Sequence, residues 1–485
     1  MGRSEAIPLG MPIKNERLEV PPSVVVVESD IGMFAVDLEL VEQAKAHVRK
    51  GRQEQDPFSR VVEEHVGGRY LYATRYWSKG LGKLLKMFSE EIFRGEWAVE
   101  DEFELSKGAR TSPVYGSIKI PGLGAQRFLH IGLRLLVHKE TGERIVLRHS
   151  VDDDGDERLS VAHAKTPSTA LDEFNEGCEV NDFGFQFLDA LEHEFFTRGP
   201  LKGRFFDIDY QFIEKDSTVD DLIAWNEDVK TQLQRNVIDF YSAMPKLEAL
   251  GLNTSRGIIL AGPPGTGKTM IGKWLAAQTG MTSILVSAEM IRNRGNIRRI
   301  YERARLLSPT LIIVEDIDTT GGLDRRVSDH PLLGEFLQCM DGMVKNSGVI
   351  TVATTNHASS IDPAIADRPG RFDRVIEVPL PNLRQRKSIL RRKVAGIPQH
   401  PSVTKDVLGS IARRSDGLSG AWVIEIIQFA QVLALSRDDE VLTADDLEVS
   451  LDDVLSRRGL AYRIDSMPTE NPWKDDEGGL GALWG

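Results

Sequence analysis

Cysteine is almost absent: Cys178 and Cys339 are the only two in 485 residues, and they lie far apart. Such a pair supports neither a disulfide framework nor a thiolate metal cluster, and it fits a reducing compartment. Long apolar runs are missing too. The longest early patch, VVVVESDIGMFAV, is broken by Glu28, Ser29 and Asp30 and is too short to cross a bilayer. No basic segment leads into an apolar core at the N-terminus, so no secretory leader is expected and the reading is a cytoplasmic protein. Positive charge is in deficit. Lys and Arg number 60 against 73 Asp and Glu, a formal net charge of −13. That balance argues against nonspecific nucleic-acid binding. Two metal signatures fail as well. His193 in EHEFF is followed at 197 by Thr rather than His, which excludes a zincin helix there, and DDDGDERLS lacks the sixth-position glycine of a calcium loop.

What remains is an ordinary soluble composition, 41% apolar and 27% charged, long enough for two or three domains. Residues 1–20 read as a flexible N-terminus. Residues 21–205 mix helix and strand signals and read as an α+β domain. VDLELVEQAKAHVRK has helical spacing, and RFLHIGLRLLVHKETGERIVLRHSV reads as two strands about a KETGE turn. In SKGLGKLLK, Lys79, Lys83 and Lys86 read as a solvated basic face. From 206 to 381 apolar runs alternate with helical patterns, which predicts a parallel sheet covered by helices. Residues 382–458 are helical only and read as a small helical domain. Residues 459–485 are rich in Pro, Gly and acid and read as a disordered tail that carries Trp473 and Trp484.

The strongest motif is GIILAGPPGTGKTMIGKWLA. Gly262, Gly267, Lys268 and Thr269 satisfy GxxxxGK[ST], with an apolar strand before and an amphipathic helix after. Glycines let backbone N–H groups turn toward phosphate oxygens, and the helix N-terminus adds positive potential. Lys268 is placed to meet the β- and γ-phosphates, and the Thr269 hydroxyl to ligate Mg2+. The contact run is Gly262, Pro263, Pro264, Gly265, Thr266, Gly267, Lys268, Thr269 and Met270. A second carboxylate is then needed for the metal, with a base beside it. LIIVEDID, residues 311–318, supplies acids at the tip of an apolar strand that is expected beside the P-loop strand.

These motifs, in this order, resemble an AAA-family ATPase with one AAA module per chain, over residues 206–460. GPPGTGKT matches that family's first motif, LLGEFLQCMDGM resembles its acidic helix, and TVATTN its sensor strand, here ending in Asn356. IDPAIADRPGRFDR resembles the region that carries arginine fingers, here Arg368 and Arg371, and DGLSGAWV the helix start whose Gly420 and Ala421 lie against the nucleotide. The resemblance implies an α/β P-loop NTPase fold with a helical lid, the cofactors ATP and Mg2+, and adenine near Asp221. It assigns Glu315 to the magnesium side and Asp316 to the water side. The usual order of that pair is Asp then Glu. The reversed order is similar to that of mitochondrial AAA proteins that translocate a folded iron–sulfur (Rieske) subunit. Between the family's strand and helix, AEMIRNRG is shorter than a chain-threading pore loop and lacks its aromatic.

The resemblance further implies a hexameric ring, since fingers act in trans. The expectation is an ATPase that remodels, disassembles or translocates a macromolecular partner held by the N-terminal domain, with no membrane span and no nucleic acid. The alternative is an ATP-gated scaffold with slow hydrolysis.

Overall fold

The computed structural model describes residues 24–29, 32–37, 56–164, 183–287, 295–317, 339–340, 346–356 and 372–465. They fall into two compact units, Met1–Lys119 with Ala125–Glu192, and Ile120–Gly124 with His193–Gly485.

The first unit holds a hairpin of β1 (Val24–Ser29) and β2 (Gly32–Asp37). Beside it in sequence run β3 (Tyr70–Trp77), β4 (Trp97–Ser106), β5 (Ala109–Thr111), β6 (Val114–Ile120), β7 (Gly124–His138), β8 (Arg144–Val151) and β9 (Glu157–Ala164). They make one sheet in the order β3-β9-β8-β7-β4-β5, with β6 paired to β7. The strands about KETGE are β7 and β8, antiparallel, with Val137 opposite Arg144. Helix α1 (Pro57–Val66) buries Phe58, Val61 and Val62 against Phe103, Leu133, Leu135, Val146 and Ala162. Each such side chain removed from water contributes roughly 1.5–3 kcal/mol. Helix α2 (Lys79–Glu96) corrects the reading of its lysines. Lys86 is fully buried, and its Nζ donates to Glu157 Oε2 at 2.5 Å, the Ser150 carbonyl at 2.7 Å and the His130 carbonyl at 3.1 Å. Three donors meet three acceptors, which makes the burial tolerable. The helical pattern read across 36–50 falls mostly outside the described residues.

Helix α3 (Phe183–Arg198) precedes the second sheet in sequence. That sheet contains β10 (Phe205–Asp207), β11 (Phe212–Ile213), β12 (Arg256–Ala261), β13 (Thr282–Ser287), β14 (Thr310–Glu315), β15 (Val349–Thr355) and β16 (Phe372–Glu377), in the order β11-β10-β13-β14-β15-β12-β16. All pairs are parallel except β10 with β11. β14 is buried through Val314 and β15 along its whole length, as a sheet covered on both faces requires. Among the described residues this part also holds helices α4 (Val219–Leu222), α5 (Glu227–Leu233), which continues as a π-helical turn over Gln234–Asp239, α6 (Phe240–Ala249), α7 (Lys268–Gln278) and α8 (Gly295–Leu306). Ile271, Trp274 and Leu275 of α7 share a core with Ile258, Leu260, Leu311, Ile313 and Val352.

Two expectations need correction here. The boundary at 205/206 cuts a strand, because Phe205 pairs with Ser283 in β10–β13. And β14 does not lie beside the P-loop strand β12. β15 is inserted between them, paired to β14 at Val314–Ala353 and to β12 at Leu260–Thr354. Apolar strands carry no mark of lateral order, so periodicity could not show the insertion.

The helices that follow are α9 (Leu383–Val394), α10 (Lys405–Arg414), α11 (Gly420–Leu435) and α12 (Ala444–Asp465). They close over their own core of Leu390, Ile411, Leu418, Ile426, Leu447 and Leu451, among others. Asn382 starts α9 with a capping box to Gln385, and Thr404 caps α10 at Val407 N. α12 runs on to Asp465, past the 458 at which the tail was expected to begin.

Candidate active site

β12 ends at Ala261, and the loop 262–267 turns into α7 at Lys268. Gly262 is required by close approach: a Cβ there would lie 2.1 Å from the Val378 carbonyl oxygen, a backbone atom that cannot move aside. Gly265 adopts φ +75°, and its carbonyl accepts the Ala421 N–H at 3.1 Å. The start of α11, with Gly420 3.3 Å from that same carbonyl by its would-be Cβ, therefore sits on the loop. Thr266 Oγ1 donates to the Pro263 carbonyl at 2.9 Å and braces the turn. Pro263 and Pro264 are exposed, Gly267 caps the helix at φ +95°, Thr269 is exposed in its first turn, and Met270 packs on the core.

Lys268 is 6% exposed. Its Nζ donates to the Gly262 carbonyl at 2.7 Å, the Pro263 carbonyl at 3.0 Å and Asn356 Oδ1 at 2.8 Å. Asn356, just past the end of β15, in turn donates from Nδ2 to Asp316 Oδ1 at 3.2 Å. The inserted strand is what makes this chain of contacts: Asn356 stands between the lysine of one strand end and the carboxylate of another. Glu315 closes β14, and its Oε1 is buried with no hydrogen-bond partner among the described residues. A buried carboxylate oxygen without a donor is costly, and a cation removes that cost. The Glu315 carboxylate and the Thr269 hydroxyl in the first turn of α7 are hard oxygen donors of the kind that could hold a Mg2+ ion.

Asp221 is exposed, in α4. Its carbonyl accepts from Arg392 Nη1, as does that of Ile223 at 3.1 Å, and the Ala224 carbonyl accepts Gln385 Nε2 at 2.7 Å. Burial lowers the pKa of the Arg392 guanidinium, and Asp221 works against that. Beyond the loop, Trp225 meets Trp274 of α7 edge-on, with ring centres 4.6 Å apart, and its Nε1 donates to Asp220. Sequence reasoning missed Gln385, Arg392 and Trp274. The spacing Asn382-x-x-Gln385 marks a helix start, but nothing in it shows that the same Gln reaches back to residue 224. Arg368, Arg371, Asp318 and the pore segment with Met290 and Ile291 lie outside the described residues.

Residues 258–380 match the model of the ATPase family associated with various cellular activities (AAA). They form an AAA ATPase domain, homologous to the AAA region of FtsH. Over 257 residues, 50% of this chain and 35% of the relative, the sequence is 33% identical to the ATP-dependent zinc metalloprotease FtsH of Mycoplasma mobile. It is 34% identical over 249 residues, 48% of this chain and 36% of the relative, to FtsH 4 of Sphaerobacter thermophilus. For FtsH of Caulobacter vibrioides the identity is 32% over 257 residues, 49% of this chain and 40% of the relative. The chain thus spans between 35% and 40% of these relatives. HExxH does not occur in the 485 residues. Among the described residues, no helix is long and apolar enough to cross a membrane.

Proposed function

Starting from an AAA ATPase domain at residues 258–380, we propose that the protein hydrolyses ATP and spends the resulting motion on a macromolecular partner. The observation that carries this reading is the run Lys268–Asn356–Asp316. Its hydrogen bonds of 2.8 Å and 3.2 Å join residues from the carboxyl side of three neighbouring parallel strands, with the orphaned Glu315 oxygen one residue away. Ligands of open α/β sheets bind at that edge.

The roles follow from position. Gly262 to Met270 wrap the phosphates, and incoming phosphate oxygens displace the loop carbonyls that hold Lys268. Mg2+, when bound by Thr269 and Glu315, neutralises charge on the β- and γ-phosphates. Asp316 accepts the proton of a water that attacks the γ-phosphorus while the β–γ bridging P–O bond breaks. Asn356 orients Asp316 and holds Lys268 near the same oxygens. Residues 221–224 meet the base, and α9–α12 form the lid, with Gly420 and Ala421 against the phosphate loop. Arg368 and Arg371 reach the γ-phosphate of a neighbouring subunit in a hexameric ring, and the unit before 193 holds the partner.

The test is ATPase turnover by the full chain. Lys268→Ala is expected to abolish nucleotide binding. Asp316→Asn is expected to keep binding and lose roughly two orders of magnitude or more in kcat. ATP-dependent assembly by wild type with negligible turnover would instead make the protein an ATP-gated scaffold.

A further inference from the structure

Asp316 holds its place by an unusual backbone. β14 stops at Glu315, and Asp316 has φ +49°, in the left-handed region. Few residues other than glycine settle there, and Asp and Asn are among those that do. The turn takes the Asp316 and Ile317 amides out of the regular ladder. The Asp316 N–H donates to Thr354 Oγ1 at 2.9 Å, and the Ile317 N–H donates to the Thr354 carbonyl at 3.0 Å. One residue of β15 therefore holds both amides of the turn.

Thr354 is 1% exposed, two positions before Asn356 on the same chain segment. Asp316 is consequently fixed at two ends from one strand end: at its amide by the Thr354 hydroxyl, and at its carboxylate by Asn356 Nδ2, 3.2 Å from Oδ1. A left-handed residue tied at both ends cannot swing its short side chain away from the Lys268 end of the site. A valine at 354 would have the same shape and the same strand preference. The hydroxyl is what packing does not require.

We infer that Thr354 is a positioning residue for the reaction: its hydroxyl, through the Asp316 amide, sets where the water-side carboxylate points. The inference rests on the reading of Asp316 as that carboxylate. Thr354 need touch neither nucleotide nor metal. A reversed Glu–Asp order then has a structural counterpart: the shorter acid occupies a turn that suits Asp, and a neighbouring threonine sets its aim.

The experiment compares wild type with Thr354→Val and Thr354→Ser in the full chain. Three quantities are measured: steady-state ATPase, affinity for a fluorescent ATP analogue carrying the N-methylanthraniloyl group, and hydrogen–deuterium exchange of peptides spanning 314–318. Thr354→Val is expected to lower kcat roughly tenfold or more, with KM and analogue affinity within about twofold of wild type. It should also speed exchange of the Asp316 amide, whose acceptor is the lost hydroxyl, while Thr354→Ser restores both kcat and exchange. Unchanged exchange and kcat in Thr354→Val would overturn the inference. So would a serine variant as impaired as the valine one, or an affinity loss equal to the loss in kcat. Should Thr354→Val fail to fold, Thr354→Ser against Thr354→Ala differ by one hydroxyl and give the same comparison. If wild type hydrolyses no ATP, the ATPase reading fails by itself, and exchange in the two variants still decides whether Thr354 holds Asp316.

Discussion

Glu315 is the residue whose surroundings say most about its role. One of its carboxylate oxygens is buried without a donor among the described residues, at the end of β14. Glu315→Gln is expected to raise the Mg2+ concentration needed for half-maximal ATPase by roughly tenfold, and a magnesium titration of turnover checks it. A second residue-level prediction concerns stability. The Arg437 guanidinium, with Thr443, holds the Asp446 carboxyl down at about 2. Asp446 Oδ2 accepts from Thr443 N at 3.0 Å and Thr443 Oγ1 at 2.7 Å, ahead of α12. The folded pKa lies below the unfolded one, so the contribution is present above the ordinary carboxylate range near pH 4 and fades as pH falls toward 2. Asp446→Asn should therefore lose about 0.5–1 kcal/mol at neutral pH, given partial solvent screening. Thermal melting at a series of pH values should show that difference closing below pH ~3. The Thr-x-x-Asp cap was there to read in the sequence. The arginine nine positions back was not, because helix periodicity does not link them.

At the scale of elements, the phosphate loop is shaped by what lies behind it. Gly262 is backed by the Val378 carbonyl beyond the end of β16, so Gly262→Ala has no room without moving backbone. The expected result is loss of nucleotide binding together with a destabilisation of about 1–3 kcal/mol, seen by isothermal titration and by thermal melting. Helix α9 gives a second case. Gln385 completes the capping box with Asn382 and also donates to the Ala224 carbonyl, while Arg392 holds the carbonyls of Asp221 and Ile223. Asp221 lies in the last turn of the short helix α4 and Ile223 is its cap, where the last C=O groups lack partners within the helix. Gln385→Ala with Arg392→Ala is expected to weaken ATP affinity several-fold with little change in global stability, measured by fluorescent-nucleotide titration. The strands and helices themselves were legible from apolar runs and caps. The clasp was not, since Gln385 and Ala224 are 161 positions apart.

For the whole molecule, the proposal of a ring makes its own prediction. Arg371→Ala should lose ATPase activity by orders of magnitude, as removal of a trans finger does elsewhere. Mixing it with inactive Lys268→Ala should restore part of that activity, because hybrid interfaces pair an intact finger with an intact phosphate loop. Turnover of the mixture against each variant alone checks it. Strictly additive activity would place the arginine in its own subunit's site. The first unit adds a different lesson. Lys86 looked like part of a solvated basic face, yet it lies between α2 and the sheet with Glu157, Ser150 and His130 as acceptors. Burial pushes its ammonium pKa down while Glu157 holds it up.

Sequence alone determined the chemistry available. A glycine-rich loop between strand and helix, an acid-tipped apolar strand and a strand ending in Asn356 are local patterns, and backbone geometry ties each to phosphate, cation and polar contact. Family likeness followed from their order. Tertiary structure decided how they meet. It inserted β15 between β12 and β14, which put Asn356 between Lys268 and Asp316 and Thr354 under the amide of Asp316. Lateral strand order is chosen by packing of whole apolar faces and by crossover connections, and these leave no periodic trace in the residues of any one strand.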